Sequence, residues 1–262
     1  PGCARPTHIA TAMDASISVP ALTATWGIAN NVDIGFAVPL ARLSFSGRSI
    51  ANLVNTTGTA IHFFKGTSGN PQFADTARSE SNVTGIGDIS LRAKFNLMQT
   101  DRGGAAFLTE LRVPTGNQDN LLGTGKAWVT GSFIASLTMR QFTPHANIGY
   151  LYRTREDLSS GVLGAVGFDA LIAPKFTLAA DVLAVGEIGE SRLALPQPAV
   201  YLDGSVVRRT NIPSGRDNLV GASIGAKWVI SGFTAVGNAL LPLGDGGMSP
   251  NLTWTVGLER TF

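Results

Sequence analysis

The chain has three histidines, His8, His62 and His145, so any acid–base or nucleophilic chemistry that needs an imidazole must use one of them. A serine hydrolase requires a serine within hydrogen-bond reach of a histidine. The arrangement worth stating sets His145 against Ser132 or Ser136 on a neighbouring strand. No histidine stands at metal-ligand or triad spacing with a definable partner, so no metal, no cofactor and no catalysis is expected. Cys3 is the single cysteine, which excludes an intramolecular disulfide and a cysteine metal cluster. Gly85-x-Gly87 and Gly123-x-Gly125 are not phosphate loops, because no helix follows either pair to supply a dipole. They read as backbone glycines for turns and tightly curved strands.

The remaining chemistry is charge placed by alternation. Asp33, Asp88, Arg92, Lys94, Glu110, Arg112, Arg140, Arg153, Asp169, Asp181, Lys227 and Glu259 all fall on the polar side of an alternating segment. They are expected to line a lumen, either as a ladder of cross-strand ion pairs or as a mixed-charge conduit with little ion selectivity. Asp88, Arg92, Glu110 and Arg112 lie on adjacent segments and are expected to form one salt-bridged wall cluster.

The elements that must position these residues are strands. From Asp88 the residues alternate, with Ser90, Arg92, Lys94 and Asn96 on one side and Ile89, Leu91, Ala93, Phe95 and Leu97 on the other. That period of two belongs to a strand. Glu110 and Arg112 face away from Phe107, Leu111 and Val113 on the return strand, after the tight QTDRGG turn. Further strands are expected at 17–26, 32–45, 127–140, 144–155, 161–172, 176–188, 218–230, 233–242 and 251–262. Residues 1–15 have weak patterning, and 47–84 and 189–217 read as long loops rich in small polar residues, glycine and proline.

Composition agrees with an all-β chain having many turns. Charged residues are 15% against about 25% in ordinary soluble domains, and 31 glycines are spread through the sequence. No apolar run approaches the roughly 18 residues of a membrane helix. A net charge of +2 is too balanced for a nucleic-acid surface. The sequence begins without an initiator Met or a signal peptide and reads as a mature form or a fragment, so export is inferred from the fold.

Short turns alternate with long connections along the whole chain, as in outer-membrane barrels with short periplasmic turns and long external loops. Eleven strands are legible. Single-chain bacterial barrels have even strand numbers, so the expectation is an antiparallel transmembrane β-barrel of about 12 strands. The whole of 1–262 is one barrel domain on this reading, with the twelfth strand inside 1–15 or absent. The last segment, 251–262, sets Leu252, Trp254, Val256, Leu258 and Phe262 on one face. Trp254, Leu258 and Phe262 resemble the terminal signal read by the outer-membrane assembly machinery.

Three runs also resemble a family. They are Gly85-Ile86-Gly87-Asp88 with Leu91 and Lys94-Phe95; Leu111-Arg112-Val113-Pro114-Thr115-Gly116 followed by Asn120-Leu121-Leu122-Gly123-Thr124-Gly125; and Trp26-Gly27 with Val32-Asp33-Ile34-Gly35 and Val38-Pro39. Over about residues 20–262 the chain resembles the outer-membrane proteins named for the phenol meta-cleavage pathway. That family is similar to the fatty-acid and aromatic-hydrocarbon uptake barrels. The resemblance implies an outer-membrane channel for passive uptake of small hydrophobic or aromatic solutes. The alternatives are a structural or interaction barrel whose closed, ion-paired lumen leaves partner binding to its external loops, and a soluble β-rich binding protein. Expected partners are outer-membrane lipid, the barrel-assembly machinery and the solutes, with no nucleic acid.

Overall fold

The computed structural model describes residues 7–53, 63–154, 159–189, 195–200, 204, 206–210, 215–216, 218–244 and 250–262. His62 lies outside them. In chain order the strands are β1 (Thr7–Ser18), β2 (Ala21–Ala29), β3 (Val32–Leu53), β4 (Lys65–Thr67), β5 (Asn70–Gln72), β6 (Ala74–Ile86), β7 (Ile89–Thr100), β8 (Gly103–Val113) and β9 (Trp128–Leu137). They continue with β10 (Phe142–Arg153), β11 (Gly161–Ala173), β12 (Phe176–Glu187), β13 (Ala199–Val200), β14 (Val206–Val207), β15 (Leu219–Ile230), β16 (Phe233–Pro242) and β17 (Thr253–Arg260). The described residues are all-β and antiparallel, without helices, and no helix is long and apolar enough to cross a membrane.

The chain forms two compact units. One comprises residues 1–22, 38–89 and 114–125. Here the distal part of β3 is flanked by β1, from Thr7↔Leu53 to Ser18↔Arg42, and by β6, from Leu40↔Ile86 to Asn52↔Ala74. Leu43 lies between Ile17 and Val83 and is buried. Two sequence expectations are corrected here. Residues 1–15 hold most of β1, so the first strand begins well before Ile17. The expected loop at 47–84 contains the end of β3, the β4–β5 ribbon and most of β6. Its serines, threonines and asparagines carry no alternation, yet their backbone groups find partners along β3. A paired ladder satisfies N–H and C=O groups whatever the side chains are.

The second unit comprises residues 23–37, 90–113 and 126–262. β2 pairs with β3, and the sheet runs on β3-β7-β8-β9-β10-β11-β12-β15-β16-β17, with each strand from β7 onward beside its neighbour in sequence once the β13–β14 ribbon is set aside. That ribbon corrects the reading of 189–217 as loop alone. Among the described residues no pairing joins the free edge of β17 to another strand. Tight turns at Asn30-Asn31, Asp101-Arg102, Pro174-Lys175 and Ser231-Gly232 alternate with the longer connections 114–127, 154–160, 188–218 and 243–252. Ser231 and Gly232 both have positive φ, 46° and 84°, the mirror-image turn whose twist suits a hairpin.

Exposure separates the two faces of this sheet in an unusual direction. The face carrying Phe133, Ile148, Val166, Ile224 and Trp254 is predominantly apolar, interrupted by Thr109 and Arg260, and these five side chains are 60–70% exposed. The opposite face holds the polar residues, and it is the sheltered one: Ser132 and Ser223 are only 7% and 6% exposed. A sheet folding in water would do the reverse, because apolar area is what leaves water on burial.

Candidate functional site

Asp88 departs from its expected place. The register of β3 is Leu40↔Ile86 against β6 but Ala37↔Ser90 against β7, so one extra residue is accommodated near Asp88. Such a bulge re-aims a side chain. The Asp88 carboxylate turns to the 114–125 segment. Its Oδ1 accepts a hydrogen bond from Gly116 N at 3.0 Å, and its Oδ2 accepts from Thr124 N at 2.8 Å and from the Thr124 hydroxyl at 2.7 Å. Thr115 clips the loop a second time, donating to Gly87 O at 2.8 Å and accepting from Ile89 N at 3.0 Å. Leu122 packs beneath, buried against Gly85 and Gly87. A Cβ on Gly123 would collide with Asp88 Oδ1 and with the backbone of Gly116, which is why small residues recur here. The wall cluster therefore loses Asp88, whose charge is used to order a loop.

Arg92, Glu110 and Arg112 do come together, in the second unit. Glu110 Oε2 accepts from Arg92 Nε at 2.8 Å, and its Oε1 accepts from Arg112 Nη2 at 3.3 Å. The Arg112 guanidinium lies over the Trp128 ring at 4.6 Å, and Arg153 approaches the same ring at 5.8 Å. Register explains this: Trp128 stands between Arg112 on β8 and Arg153 on β10. Arg153 Nη1 donates to Ser159 O at 2.6 Å and lies 3.8 Å from Glu187 Oε1. Asp33 and Lys94, partners in register, are 3.7 Å apart.

A second polar row crosses β10 to β16. His145, Gly167, Asp181 and Ser223 are successive cross-strand partners. Strands sit about 4.8 Å apart, so His145 and Asp181 are two spacings from each other and meet over Gly167. A Cβ there would strike Asp181 Oδ1. His145 Nε2 lies 2.7 Å from Asp181 Oδ1, and since a carboxylate only accepts, Nε2 is the donor. Nδ1 lies 3.8 Å from Asp169 Oδ2. Ser223 donates to Asp181 Oδ2 at 3.2 Å and accepts from Asn238 Nδ2 at 3.3 Å. Both ring nitrogens thus face carboxylates, and no hydrogen bond joins His145 to Ser132 or Ser136. The serine-nucleophile arrangement is not formed. No cluster of metal-ligating side chains occurs among the described residues.

Besides Asp88 and the Asp33–Lys94 pair, three sequence-predicted residues stand outside both rows. Arg140 is not on a strand: β9 ends at Leu137, and Met139 and Phe142 exchange backbone hydrogen bonds of 2.8 and 3.0 Å around Arg140, whose φ is 56°. Lys227 shares the face of Asp181 by register with Thr177, but lies exposed near the tight-turn end. Glu259 lies on the outermost strand opposite Thr234 and is exposed. On β17, Trp254, Val256 and Leu258 are 70–71% exposed, and Arg260 lies over the rings of Phe233 and Phe262 at 5.2 and 4.9 Å. An apolar recess of about 450 Å³ surrounds Gly164, with Ile148, Val162, Val166 and Val182 at its walls.

Two of the three runs quoted for the family resemblance, 85–88 and 111–125, thus meet at one carboxylate. The model of the family described as "Putative MetA-pathway of phenol degradation" matches residues 7–195. The chain belongs to this family. The match starts earlier than the resemblance over 20–262 and stops before β15. No curated protein matches the chain.

Sequence reasoning missed Trp128, Gly167, Ser223 and Asn238 as members of these rows. Trp128 had a usable signal, because it has the parity of Thr130 and Ser132 on the polar side of β9. Gly167 had none, since its role depends on which strands flank β11.

Proposed function

We propose that the chain is a single outer-membrane β-barrel domain that conducts small hydrophobic or aromatic solutes passively and catalyses no reaction. The observation that carries this reading is the inverted sheet, with large apolar side chains exposed while serines such as Ser132 and Ser223 and carboxylates such as Glu110 and Asp181 are sheltered. Lipid is the solvent that such an outer face suits, and a closed sheet is the form in which strands can meet lipid without open edges. The alternating tight turns and long connections fit the same orientation, with the tight turns periplasmic. Family membership supports an aromatic cargo. On this reading the partners are outer-membrane lipid, the assembly machinery and the solute.

The closed-lumen alternative draws on a different observation, the mutual ion pairing of Arg92, Glu110 and Arg112. Single-channel recording after reconstitution in a planar bilayer, with and without a phenolic solute, separates the two. Discrete openings that the solute blocks are expected. A folded, heat-modifiable but silent protein would reject the conduit and leave the structural barrel.

A further inference from the structure

The Arg92–Glu110–Arg112–Trp128–Arg153 row has an excess of hydrogen-bond donors that its own acceptors do not use. Each guanidinium has five N–H donors and no acceptor. Glu110 is engaged through both oxygens, by Arg92 Nε and Arg112 Nη2. Among the described residues, no hydrogen bond uses either Nη of Arg92 or the Nε and Nη1 of Arg112. Both side chains remain open, 47% and 42% exposed, on the otherwise sheltered face. Among the described residues three cations here face two carboxylates, and the second, Glu187, lies 3.8 Å from Arg153.

Trp128 makes this a held arrangement. A guanidinium held over an indole face, 4.6 Å from the ring centre, is restrained by that ring, and the N–H edge of an arginine matches a planar two-oxygen group. An ammonium or a neutral hydroxyl could not use that fork. We propose that Arg92 and Arg112, with Arg153 completing the field from beyond Trp128, form a recognition site for the carboxylate of a small aromatic acid. The carboxylate follows from the fork, and the aromatic ring rests on the conduit reading above.

Calorimetric titration of the whole protein in detergent at low ionic strength, with benzoate, benzyl alcohol and benzylammonium, tests the site. Benzoate is expected to bind at least tenfold more tightly than either ring lacking the carboxylate, and added salt should weaken it. R92Q and R112Q should each weaken benzoate at least tenfold and leave benzyl alcohol unchanged. R112K keeps the charge but not the fork and should fall between, which decides the matter if R112Q does not fold. Equal affinity for benzoate and benzyl alcohol, or undiminished benzoate binding by R112Q and R112K, would overturn the proposal. Bilayer flux of benzyl alcohol, measured in parallel, keeps the two readings apart. Benzoate binding without any flux rejects the conduit and keeps the site, whereas flux without benzoate preference rejects the site alone.

Discussion

Replacing Asp88 by alanine should release the 114–125 loop. The carboxylate accepts from two backbone N–H groups and one hydroxyl, all from that loop, at 2.7–3.0 Å. Hydrogen bonds to a charged acceptor contribute roughly 1.5–3 kcal/mol each, and an N–H left without an acceptor costs about 1–3 kcal/mol. The three bonds share one loop and do not add fully, so D88A is expected to destabilise by about 3–5 kcal/mol. D88N keeps one carbonyl oxygen and should cost about 1–2 kcal/mol. Urea unfolding in detergent measures the totals, and amide hydrogen exchange at Gly116 and Thr124 locates the loss, with Thr130 as a reference outside the loop. A double-mutant cycle of D88A with T124V should return a coupling of about 0.5–3 kcal/mol. If D88A costs under about 1 kcal/mol, or the cycle is additive within about 0.5 kcal/mol, the carboxylate does not hold the loop.

Three other substitutions probe separate parts of the molecule. G167A puts a methyl group where Asp181 Oδ1 lies, so it should part His145 from Asp181 and cost about 1–3 kcal/mol, read from the thermal midpoint in detergent; a midpoint equal to the parent's would reject the row. Among the described residues Trp128 Nε1 is buried without a partner, so W128F removes an unsatisfied donor and should stay within about 1 kcal/mol of the parent, whereas W128A should cost about 2–4 kcal/mol. Equal losses for the two variants would show that the indole N–H has an acceptor after all. Asp75, at the far end of β6 from Gly87, has its carboxyl held below the ordinary range, first by the Lys65 hydrogen bond and then by Thr76 N, against an opposing desolvation, with the Lys65 charge adding a smaller lowering. A lowered folded pKa means the contact contributes order above the ordinary carboxylate range and loses it as pH falls through the lowered value. Carboxyl NMR titration of K65M should find Asp75 moved up toward its ordinary value.

What could be read in advance was whatever depends on alternation within one strand. Parity alone places Arg92, Lys94, Glu110, Arg112, Arg153, Asp169 and Asp181 on the polar face of the sheet, because side chains swap faces at every residue. Asp88 defeats that rule because a bulge interrupts the count at its position. Arg140 defeats it because the hairpin closes early, with a left-handed residue in the turn. The strand β6 was hidden because its polar residues give no period, and its pairing partner lies about 30 residues away in the sequence. Contacts that cross an intervening strand, such as His145 with Asp181, need the strand order itself. The glycine that permits them looks like any other glycine in the chain.

The central claim is that the sheet is inside out, and the four tryptophans test it. Trp26, Trp228 and Trp254 are 54%, 55% and 70% exposed on the apolar face, while Trp128 lies on the sheltered face between two arginines. Four single-tryptophan variants, the other three positions changed to phenylalanine, would be reconstituted in vesicles of lipid brominated along the acyl chain. Fluorescence should be strongly quenched for Trp26, Trp228 and Trp254 and nearly unchanged for Trp128. Equal quenching of all four, or quenching of none with the protein remaining in the aqueous phase, would contradict it.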